Sequence, residues 1–524
     1  MRNEIQHKKD IRNAWRCQQL TLPMDMEICI PEDAPVRLLA EILEGMDYTE
    51  LEQTYSREGR NPVAAPRILF GILVFGAMNE TYSSRKLEEA CRYDTRYMWL
   101  LEGSPAPDHT TIARFRSVRL LEVIDGLFVQ LMESLAGRGE IDYEHLFVDG
   151  TKLEARANRY SFVWRKSVEK RLVKLKEKAA KLLSVSEGEV SLEMVKAALS
   201  KQEQLCRTQD VVFVSGKGRR KPPEQKRWEK LRNLAEKWEE YFTHLEIMGP
   251  GRNSYSKTDH DATFMRMKDD HMKNAQLKPG YNVQVGVSGE YIVGMQAFPN
   301  RSDSGTFIPF LKHMEKQHGR KFESVTADAG FESLENYLYL EKNGQACFIK
   351  PSNYESSKKK NTNWVGRRED MFYALEQDAY ICQGGMTLWP AGQRKRKSET
   401  GFVSTATIYQ CEDCTGCQIR SKCNKAKGDK RLEVCSDFVR LRELSLANIT
   451  SDKGILLRIN RSIMSEGAFG IIKEDRNFRR FLLRGNPKIH VELMLLAFAF
   501  DVRKLHARML SGRIGSQLFQ KKIA

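Results

Sequence analysis

Three acidic residues in separate parts of the chain have the types and settings needed to bind a divalent metal ion. Asp149 follows the apolar run HLFV, Asp328 follows SVTA, and Glu466 lies in the helical sequence RSIMSEGAFGIIK. Both apolar runs predict strands, so each aspartate should lie at or just beyond a strand end. Carboxylates from neighbouring strand ends and a packed helix can converge on hard cations such as Mg²⁺. That geometry suits two-metal phosphodiester chemistry.

Other acids compete for this role. The rival carboxylates lie in a polar loop with no predicted strand beneath them, where solvation or turn formation is the expected use: Asp259, Asp261, Asp269 and Asp270. A cap or turn is also the ordinary role of an isolated aspartate, so the joint context favours Asp149 and Asp328. Glu466 is followed by the small residues of GAFG, which would let backbone or DNA approach closely.

The elements around these acids predict a mixed sheet. In PGYNVQVGVSGEYIVGMQAF, two β-rich runs flank Ser288 and Gly289, which indicates a hairpin. A helix in SGTFIPFLKHMEKQHG, the Asp328 strand, a helix in SLENYLYLEKNG and a strand in QACFIKP follow. The predicted fold class is therefore α/β, an α+β mixed sheet flanked by helices as in ribonuclease-H-like nucleases.

The segments outside this sheet predict attached modules. The catalytic core takes residues 121–155, 260–351 and 441–510, after a polar leader at 1–33 and a helical domain at 34–120. Residues 156–259 predict a helical insertion, 352–440 a basic cysteine-rich insertion and 511–524 a tail. In the N-terminal helical domain, a helix-turn-helix DNA-binding unit and a plain packing module both fit the pattern. Arg114 and Arg116 favour DNA.

Composition points to a polyanionic partner. The chain has 85 Lys and Arg against 69 Asp and Glu, a formal charge of +16, and nucleic acid is the leading candidate. A solvated basic surface is the alternative. The N-terminal sequence has no apolar signal region, so a cytoplasmic location is expected. The longest apolar runs, 68–78 and 493–500, are too short to span a membrane and predict buried helices.

The eleven cysteines include a close cluster with the spacing Cys411-x2-Cys414-x2-Cys417-x5-Cys423, preceded by Cys382. Four thiolates can bind a structural Zn²⁺, although two well-separated pairs, as in a zinc ribbon, are not present. Zinc is favoured over reduced free thiols, and an iron–sulfur cluster is a weaker option. The basic runs KKKNTNWVGRR, QRKRK and IRSKCNKAKGDKR predict that this insertion contacts DNA.

Several motifs, in one order along nearly the whole chain, resemble the DDE-class transposases of bacterial insertion sequences. They are PDHTTIARFR, DGTKLEARANRYSFVWRK, SKTDHDATFMRMK, KPGYNVQ, ADAGFES, RSIMSEGAFGIIKEDRNFRRFLLRG and ELMLLAFAFDVRKL. The resemblance implies a metal-binding triad of Asp149, Asp328 and Glu466, with Lys473 as the lysine of the glutamate helix. The broader superfamily pattern Tyr-x2-Arg-x3-Glu-x6-Lys holds only in its second half. Ile459 occupies the tyrosine position, and Arg461 lies one place early.

The implied activity is cleavage and strand transfer of double-stranded DNA at terminal inverted repeats. Asp149 would bridge two Mg²⁺ or Mn²⁺ ions, and Asp328 and Glu466 would each hold one. Lys473, Arg461 and Arg458 would contact DNA phosphates. A homodimer is expected because two element ends must be paired. The alternatives are a non-catalytic, domesticated DNA-binding protein on the same fold, and a general ribonuclease-H-like nuclease.

Overall fold

The computed structural model describes residues 26–56, 62–216, 220–267, 276–357, 364–398 and 400–519. The N-terminal part is helical: α1 Met26–Cys29, α2 Pro35–Glu44, α3 Thr49–Gln53, α4 Pro66–Met78, α5 Ser84–Tyr93, α6 Thr95–Leu100, α7 His109–Arg114, a π-helical turn Phe115–Arg119, and α8 Ile124–Gly137. The central part contains β1 His145–Glu154, β2 Phe162–Trp164, α9 Arg165–Leu183, α10 Leu192–Thr208, α11 Pro223–Met248, β3 Ser254–Ser256, β4 Thr263–Arg266, β5 Leu277–Ser288, β6 Tyr291–Phe298, α12 Phe307–His318, β7 Ser324–Ala327, α13 Leu334–Lys342 and β8 Ala346–Ile349.

The remaining elements belong to the C-terminal third. They are α14 Tyr354–Ser357, β9 Phe372–Ala374, β10 Ala379–Ile381, β11 Thr387–Lys397, β12 Val403–Cys411, α15 Arg420–Cys423, β13 Arg431–Val434, α16 Ser436–Thr450, α17 Asp452–Arg461, α18 Gly467–Gly470 and α19 Asn486–Leu510. Two π-helical turns, Ser462–Glu466 and Ile471–Asp475, flank α18. Among the described residues, no helix is both long and apolar enough to cross a membrane.

A six-stranded mixed sheet forms the centre of the molecule. Its main order is β6-β5-β1-β7-β8, and β4 also pairs with β5. β1 is antiparallel to β5 and parallel to β7, while β8 continues the parallel half. The turn between β5 and β6 places Gly289 and Glu290 at positive φ, as a tight hairpin requires. The predicted α/β class, mixed sheet and hairpin are confirmed.

Asp149 lies within a strand rather than at its end, which corrects one expectation. The sequence predicted that the strand would stop near Val148, but β1 continues to Glu154 because β5 pairs with it along that length. The parallel partner β7 does end at Ala327, which pairs with Val148. Asp149 therefore lies where parallel pairing stops while antiparallel pairing goes on.

The N-terminal helices share one hydrophobic core with the central sheet. Residues 68–78 of α4 are buried throughout, and Phe70 contacts Phe498 of α19 with the ring centroids 5.2 Å apart. The predictions that the apolar runs 68–78 and 493–500 form buried helices are confirmed. The inner face of the N-terminal helices therefore has the packing role that the sequence allowed for them.

Two modules have small cores of their own. Helices α9, α10 and α11, in the predicted helical insertion, pack around Trp238 and its apolar neighbours. In the cysteine-rich segment, β9 to β13 form a separate antiparallel sheet whose core includes Tyr380 and Tyr409. Each module therefore has packing that holds its own elements together.

Arg116 is a structural residue, so its predicted contact with DNA is wrong. Its side chain is 7% exposed and donates hydrogen bonds to the Tyr82 carbonyl at 2.8 Å and to Ser84 Oγ at 3.3 Å. Its charge also stabilises the buried carboxylate of Glu492 on α19. A guanidinium enclosed in this way cannot reach a phosphate. Arg114, on the same segment, is exposed.

Glu492 gives a pH-dependent test of this packing. Burial raises its pKa to about 7, against the opposing effects of Arg116 and the backbone N–H groups of Leu482 and Leu483. Between about pH 4.5 and 7, Glu492 is protonated in the folded chain and ionised in the unfolded chain. The free energy of unfolding therefore falls as pH rises through that window. Glu492→Gln has no carboxyl group to ionise and so does not lose stability in this way. The difference in free energy of unfolding between Glu492→Gln and wild type should therefore shift in favour of the variant by up to about 3 kcal/mol from pH 4.5 to pH 8.

Urea unfolding of both proteins at several pH values measures this difference. The exposed Glu122→Gln is a matched control and should change stability by less than about 0.5 kcal/mol. A difference between Glu492→Gln and wild type that stays constant with pH would contradict the assignment.

Candidate active site

Strand register places Asp149 and Asp328 side by side. Val148 pairs with Ala327 in the parallel ladder, so the two aspartates directly follow paired residues on neighbouring strands. Asp149 is 8% exposed, and its Oδ1 accepts a hydrogen bond from the Gly150 N–H at 2.9 Å. Asp328 caps the 3₁₀ turn Ala329–Phe331 and accepts from the Gly330 N–H at 2.8 Å. We call this edge of the sheet, formed by Asp149, Asp328 and the backbone that follows each, the carboxylate rim.

Arg461 links Glu466 to the carboxylate rim. The π-helical turn that ends at Glu466 packs against β1 and β5. Arg461 Nη1 lies 3.8 Å from Asp149 Oδ1, and its Nη2 lies 3.5 Å from Glu466 Oε1. The Arg461 side chain is mostly buried, whereas that of Glu466 is 59% exposed. A guanidinium therefore neutralises the two acids from the position between them.

The three acids do not form a closed ligand shell. Within the described ranges, a set of three His, Cys, Asp or Glu ligand atoms mutually within 4.8 Å occurs at Asp125, His313 and His490, and not at the triad. This helix-packing cluster is already hydrogen-bonded, because Asp125 Oδ1 accepts from His490 Nε2 at 2.8 Å and from Gln317 Nε2 at 3.1 Å. Sequence reasoning missed it because its members come from three distant helices, α8, α12 and α19.

Glu466 and Lys473 do not share an exposed helix face. The seven-residue spacing predicted a common face for an α-helix, but the segment is interrupted by two π-helical turns, Ser462–Glu466 and Ile471–Asp475. A π-turn bonds i to i+5 and so shifts the angular period of the side chains. Lys473 is 7% exposed while Glu466 faces solvent. The expectation of a lysine beside the glutamate on one open face is therefore corrected.

Arg458, a predicted DNA contact, has a partner within the chain. The Arg458 guanidinium lies over the Tyr354 ring at 5.2 Å from its centroid.

Among the rival carboxylates, Asp259 accepts from the Tyr281 hydroxyl at 2.9 Å, and Asp261 accepts from the Asn486 N–H at 2.7 Å. These two acids hold the start of α19, which is the structural use expected for them. Asp269 and Asp270 lie outside the described residues.

Asp303 is a further carboxylate at the site that sequence reasoning missed. A Cβ added at Gly150 would lie 2.9 Å from Asp303 Oδ1, and one added at Gly330 would lie 3.4 Å from Asp303 Oδ2. Asp303 thus approaches the backbone just after both Asp149 and Asp328. It lies in the loop between β6 and α12 (NRSDSG), where an aspartate reads as a turn residue. The sequence did contain one signal for this site. Gly150 directly follows Asp149, and Gly330 lies two residues after Asp328.

The donors at the carboxylate rim fit a hard cation. All of them are oxygens: the carboxylates of Asp149, Asp328 and Glu466, with that of Asp303 on the opposite face of the sheet from Asp149. The glycine at 150 and the one at 330 leave a space that a side chain would fill. Oxygen-only donor sets suit Mg²⁺ and Mn²⁺ rather than softer metals.

Five cysteines surround a small cavity in the cysteine-rich module: Cys382, Cys411, Cys414, Cys417 and Cys423. The Lys430 N–H donates to Cys414 Sγ at 3.3 Å, and Cys411 Sγ donates to the Asp413 carbonyl. A Cβ at Gly384 would meet the sulfur of Cys417 at 3.2 Å and that of Cys382 at 3.6 Å. The fold therefore brings a fifth thiol, at position 382, to the four in the predicted set, although no three of these sulfurs lie mutually within 4.8 Å.

Comparison with known families identifies two parts of the chain. Residues 24–118 match the family model described as Transposase domain (DUF772), and residues 381–506 match the one described as Transposase DDE domain. Both models describe transposases, so the two matches support a DDE transposase. The second match includes Glu466 and the cysteine module, while Asp149 and Asp328 lie outside it. A transposase DDE domain implies an enzyme that cleaves and transfers DNA strands, and this family generally uses divalent metal.

One solved structure is similar to the chain: the cryo-EM structure of the piggyBac transposase synaptic complex with hairpin DNA. The similarity covers 94% of this chain and 78% of that chain at 10% sequence identity, with a TM-score of 0.30. At that TM-score the likeness carries no argument about the site. No curated protein sequence matches the chain.

Arg461 provides a test of the electrostatics of the carboxylate rim. Arg461→Gln should strengthen Mn²⁺ binding by the DNA-free protein, because the guanidinium competes with a cation for Asp149 and Glu466. A partly exposed ion pair is worth about 1 kcal/mol, so the apparent Kd should fall about fivefold. Titration of free Mn²⁺ by electron paramagnetic resonance measures it, with Arg458→Gln as the control. Weaker or unchanged binding in Arg461→Gln would show that the arginine does not occupy a cation position.

Proposed function

We propose that the chain is the transposase of an insertion sequence, which binds terminal inverted repeats, cleaves the element ends and joins them to target DNA with Mg²⁺ or Mn²⁺. One observation carries the proposal. The register of β1 and β7 sets Asp149 beside Asp328, and Arg461 links Asp149 to Glu466 on the packed helix. This arrangement occurs in a chain with two transposase domains.

The proposed roles of the residues follow from their settings. Asp149, Asp328 and Glu466 would hold the divalent ions, which when bound supply Lewis-acid stabilisation to an in-line displacement at phosphorus. The Gly150 N–H and the pairing with β5 fix the position of Asp149. Arg461 keeps the Asp149 and Glu466 carboxylates from repelling each other before the cations bind, and it then becomes available to a DNA phosphate.

A basic hairpin beside the carboxylate rim supports DNA as the substrate. Strands β11 and β12 extend into solvent, and their exposed residues include Arg394, Lys395, Arg396 and Lys397. At the tip, the Thr400 hydroxyl donates to Glu335, and a Cβ at Gly305 would lie 3.6 Å from Thr400 Cγ2. The hairpin thus reaches the loop that carries Asp303. We propose that it guides DNA phosphates toward the acids, with exposed Arg114 as a more distant contact.

The proposed assembly is a homodimer on DNA, because strand transfer requires two paired element ends. Two other functions share the fold: a domesticated DNA-binding protein without catalysis, and a general ribonuclease-H-like nuclease. The carboxylate rim favours catalysis over mere binding, since a binding module gains nothing from acids that repel one another. The two matches to transposase family models favour a transposase over a general nuclease.

Cleavage of element-end DNA tests the catalytic proposal. The substrate is a duplex carrying the inverted repeats that flank the reading frame, incubated with purified protein and Mg²⁺ or Mn²⁺. Asp149→Asn should cleave at least about 100-fold more slowly, because even the loss of a group that only hydrogen-bonds to a metal ligand costs about 10- to 100-fold. Asp142→Asn, an exposed acid outside the site, is the control and should cleave like wild type.

Equal cleavage by Asp149→Asn and wild type would exclude the proposed site. Repeat-specific binding without cleavage by wild type would favour the domesticated protein, and cleavage indifferent to the repeats would favour a general nuclease.

The cysteine module is proposed to bind one structural Zn²⁺ through the predicted set Cys411, Cys414, Cys417 and Cys423, with Cys382 as a competing ligand. Thiolates bind Zn²⁺ at about 2.3 Å, so the sulfurs around the cavity would draw together on binding. The N–H of Lys430 already donates to Cys414 Sγ, as backbone amides do toward charged sulfur.

Elemental analysis of protein purified without chelator should find about one zinc per chain. Cys414→Ser or Cys417→Ser should lose the zinc, and Cys435→Ser should keep it. Loss of zinc in Cys382→Ser but not in Cys411→Ser would replace Cys411 by Cys382 in the set. Wild-type protein without zinc would refute the proposal.

A further inference from the structure

The Asp303 carboxylate is fixed in place by two buried amides. Its Oδ1 accepts from Asn282 Nδ2 at 2.7 Å and from Gln284 Nε2 at 3.2 Å. These donors are 1% and 0% exposed and lie two residues apart on β5, so they share one face of the sheet. Because Gln284 pairs with Gly150, Asp303 reaches the sheet on the face opposite to the Asp149 side chain.

Asp303 and Asp328 approach each other at the carboxylate rim, just beyond the end of β7. The strand no longer separates the two faces of the central sheet at this point. Asp303 Oδ2 and Asp328 Oδ1 lie within 3.4 Å and 3.0 Å of the same point, the Cβ position of Gly330. The absence of a side chain at Gly330 allows two carboxylates to face one space. Gly150 has the same effect on the other side, 2.9 Å from Asp303 Oδ1.

The two amides that donate to Asp303 also bring their side-chain oxygens to this part of the sheet. Asn282 Oδ1 and Gln284 Oε1 are buried and have no hydrogen-bond partner among the residues that the structure describes, and Gln284 Oε1 lies 2.8 Å from the Cβ position of Gly150. The hydrogen bonds of the Asp303 carboxylate are those to Oδ1, and within the described part of the chain this carboxylate forms no ion pair. Buried acceptors without a partner are unfavourable, and a bound cation or its water ligands would satisfy them.

We infer that Asp303 is a fourth carboxylate of the cation site, sharing with Asp328 a hard divalent ion of the Mg²⁺ or Mn²⁺ class. The inference rests on the proposed function and deepens it, because it assigns the ion beside Asp328 a ligand that the three-acid pattern does not contain. Asn282 and Gln284 are positioning residues that hold Oδ1 so that Oδ2 faces Asp328.

Asp303→Asn separates the charge of this residue from its structural role. Asparagine keeps the shape and one oxygen that can accept from Asn282 and Gln284, but it removes the negative charge. In DNA-free full-length protein, the apparent Kd for Mn²⁺, measured by electron paramagnetic resonance, should rise about tenfold. The Mn²⁺ concentration for half-maximal cleavage of element-end DNA should rise similarly, with little change in Tm.

The matched control is Asp378→Asn in the five-stranded sheet. Asp378 Oδ1 also accepts from two side chains, the hydroxyls of Tyr373 and Tyr409, and its positive φ suits asparagine. Mn²⁺ binding by this variant should equal that of wild type. A second variant, Gly330→Ala, keeps every charge but places a methyl group between Asp303 and Asp328, and it should weaken Mn²⁺ binding as well.

The outcomes separate this inference from the function on which it rests. Wild-type Mn²⁺ affinity in both Asp303→Asn and Gly330→Ala overturns the inference, and the transposase proposal survives if Asp149→Asn still abolishes cleavage. Failure of wild-type protein to bind Mn²⁺ or to cleave overturns both. If Asp303→Asn does not fold, the Gly330→Ala titration alone decides.

Discussion

Repulsion among carboxylates at one edge of the central sheet is the constraint on which the rest of the site depends. Asp149 and Asp328 are adjacent because β1 and β7 pair in parallel up to Val148 and Ala327. Neither can move away, since β5 holds the other side of β1 and a 3₁₀ turn holds Asp328. Positive charge must therefore come to the acids. In this structure part of it comes from Arg461, between Asp149 and Glu466.

The surrounding architecture supports this edge of the sheet from both ends of the chain. α19 runs through the core and is packed by the N-terminal helices on one side and by β6 on another, so the first and last thirds of the chain support the same sheet. The cysteine module is built differently. Its sheet has a small core, and its long hairpin carries basic residues toward the loop of Asp303. The core thus positions the acids, and the appended module carries the exposed basic residues.

Much of the fold and of the candidate site could be predicted from the sequence. The alternation of strands and amphipathic helices predicted the mixed sheet, and the apolar runs before Asp149 and Asp328 predicted strands at the correct places. Errors arose where local patterns do not reveal tertiary context. The positive charge of Arg116 suggested a contact with DNA, but burial against Tyr82 gives the side chain a structural role.

Two further misses have the same physical origin. The spacing of Glu466 and Lys473 predicts a shared face only if the helix is regular, and two π-helical turns interrupt it, the first of which packs against β1 and β5. Asp303 was missed because a loop aspartate has no local signature of function. Its neighbours Asn282 and Gln284 come to it from β5, through a register that only the folded sheet defines.

The measurement that tests the central claim most directly is anomalous X-ray scattering from crystals of the wild-type protein soaked in Mn²⁺. The account predicts a manganese peak at the carboxylate rim, within bonding distance of the Asp149 or Asp328 oxygens. A map in which manganese is found elsewhere, for example at Asp125, His313 and His490, while the rim remains empty would contradict it.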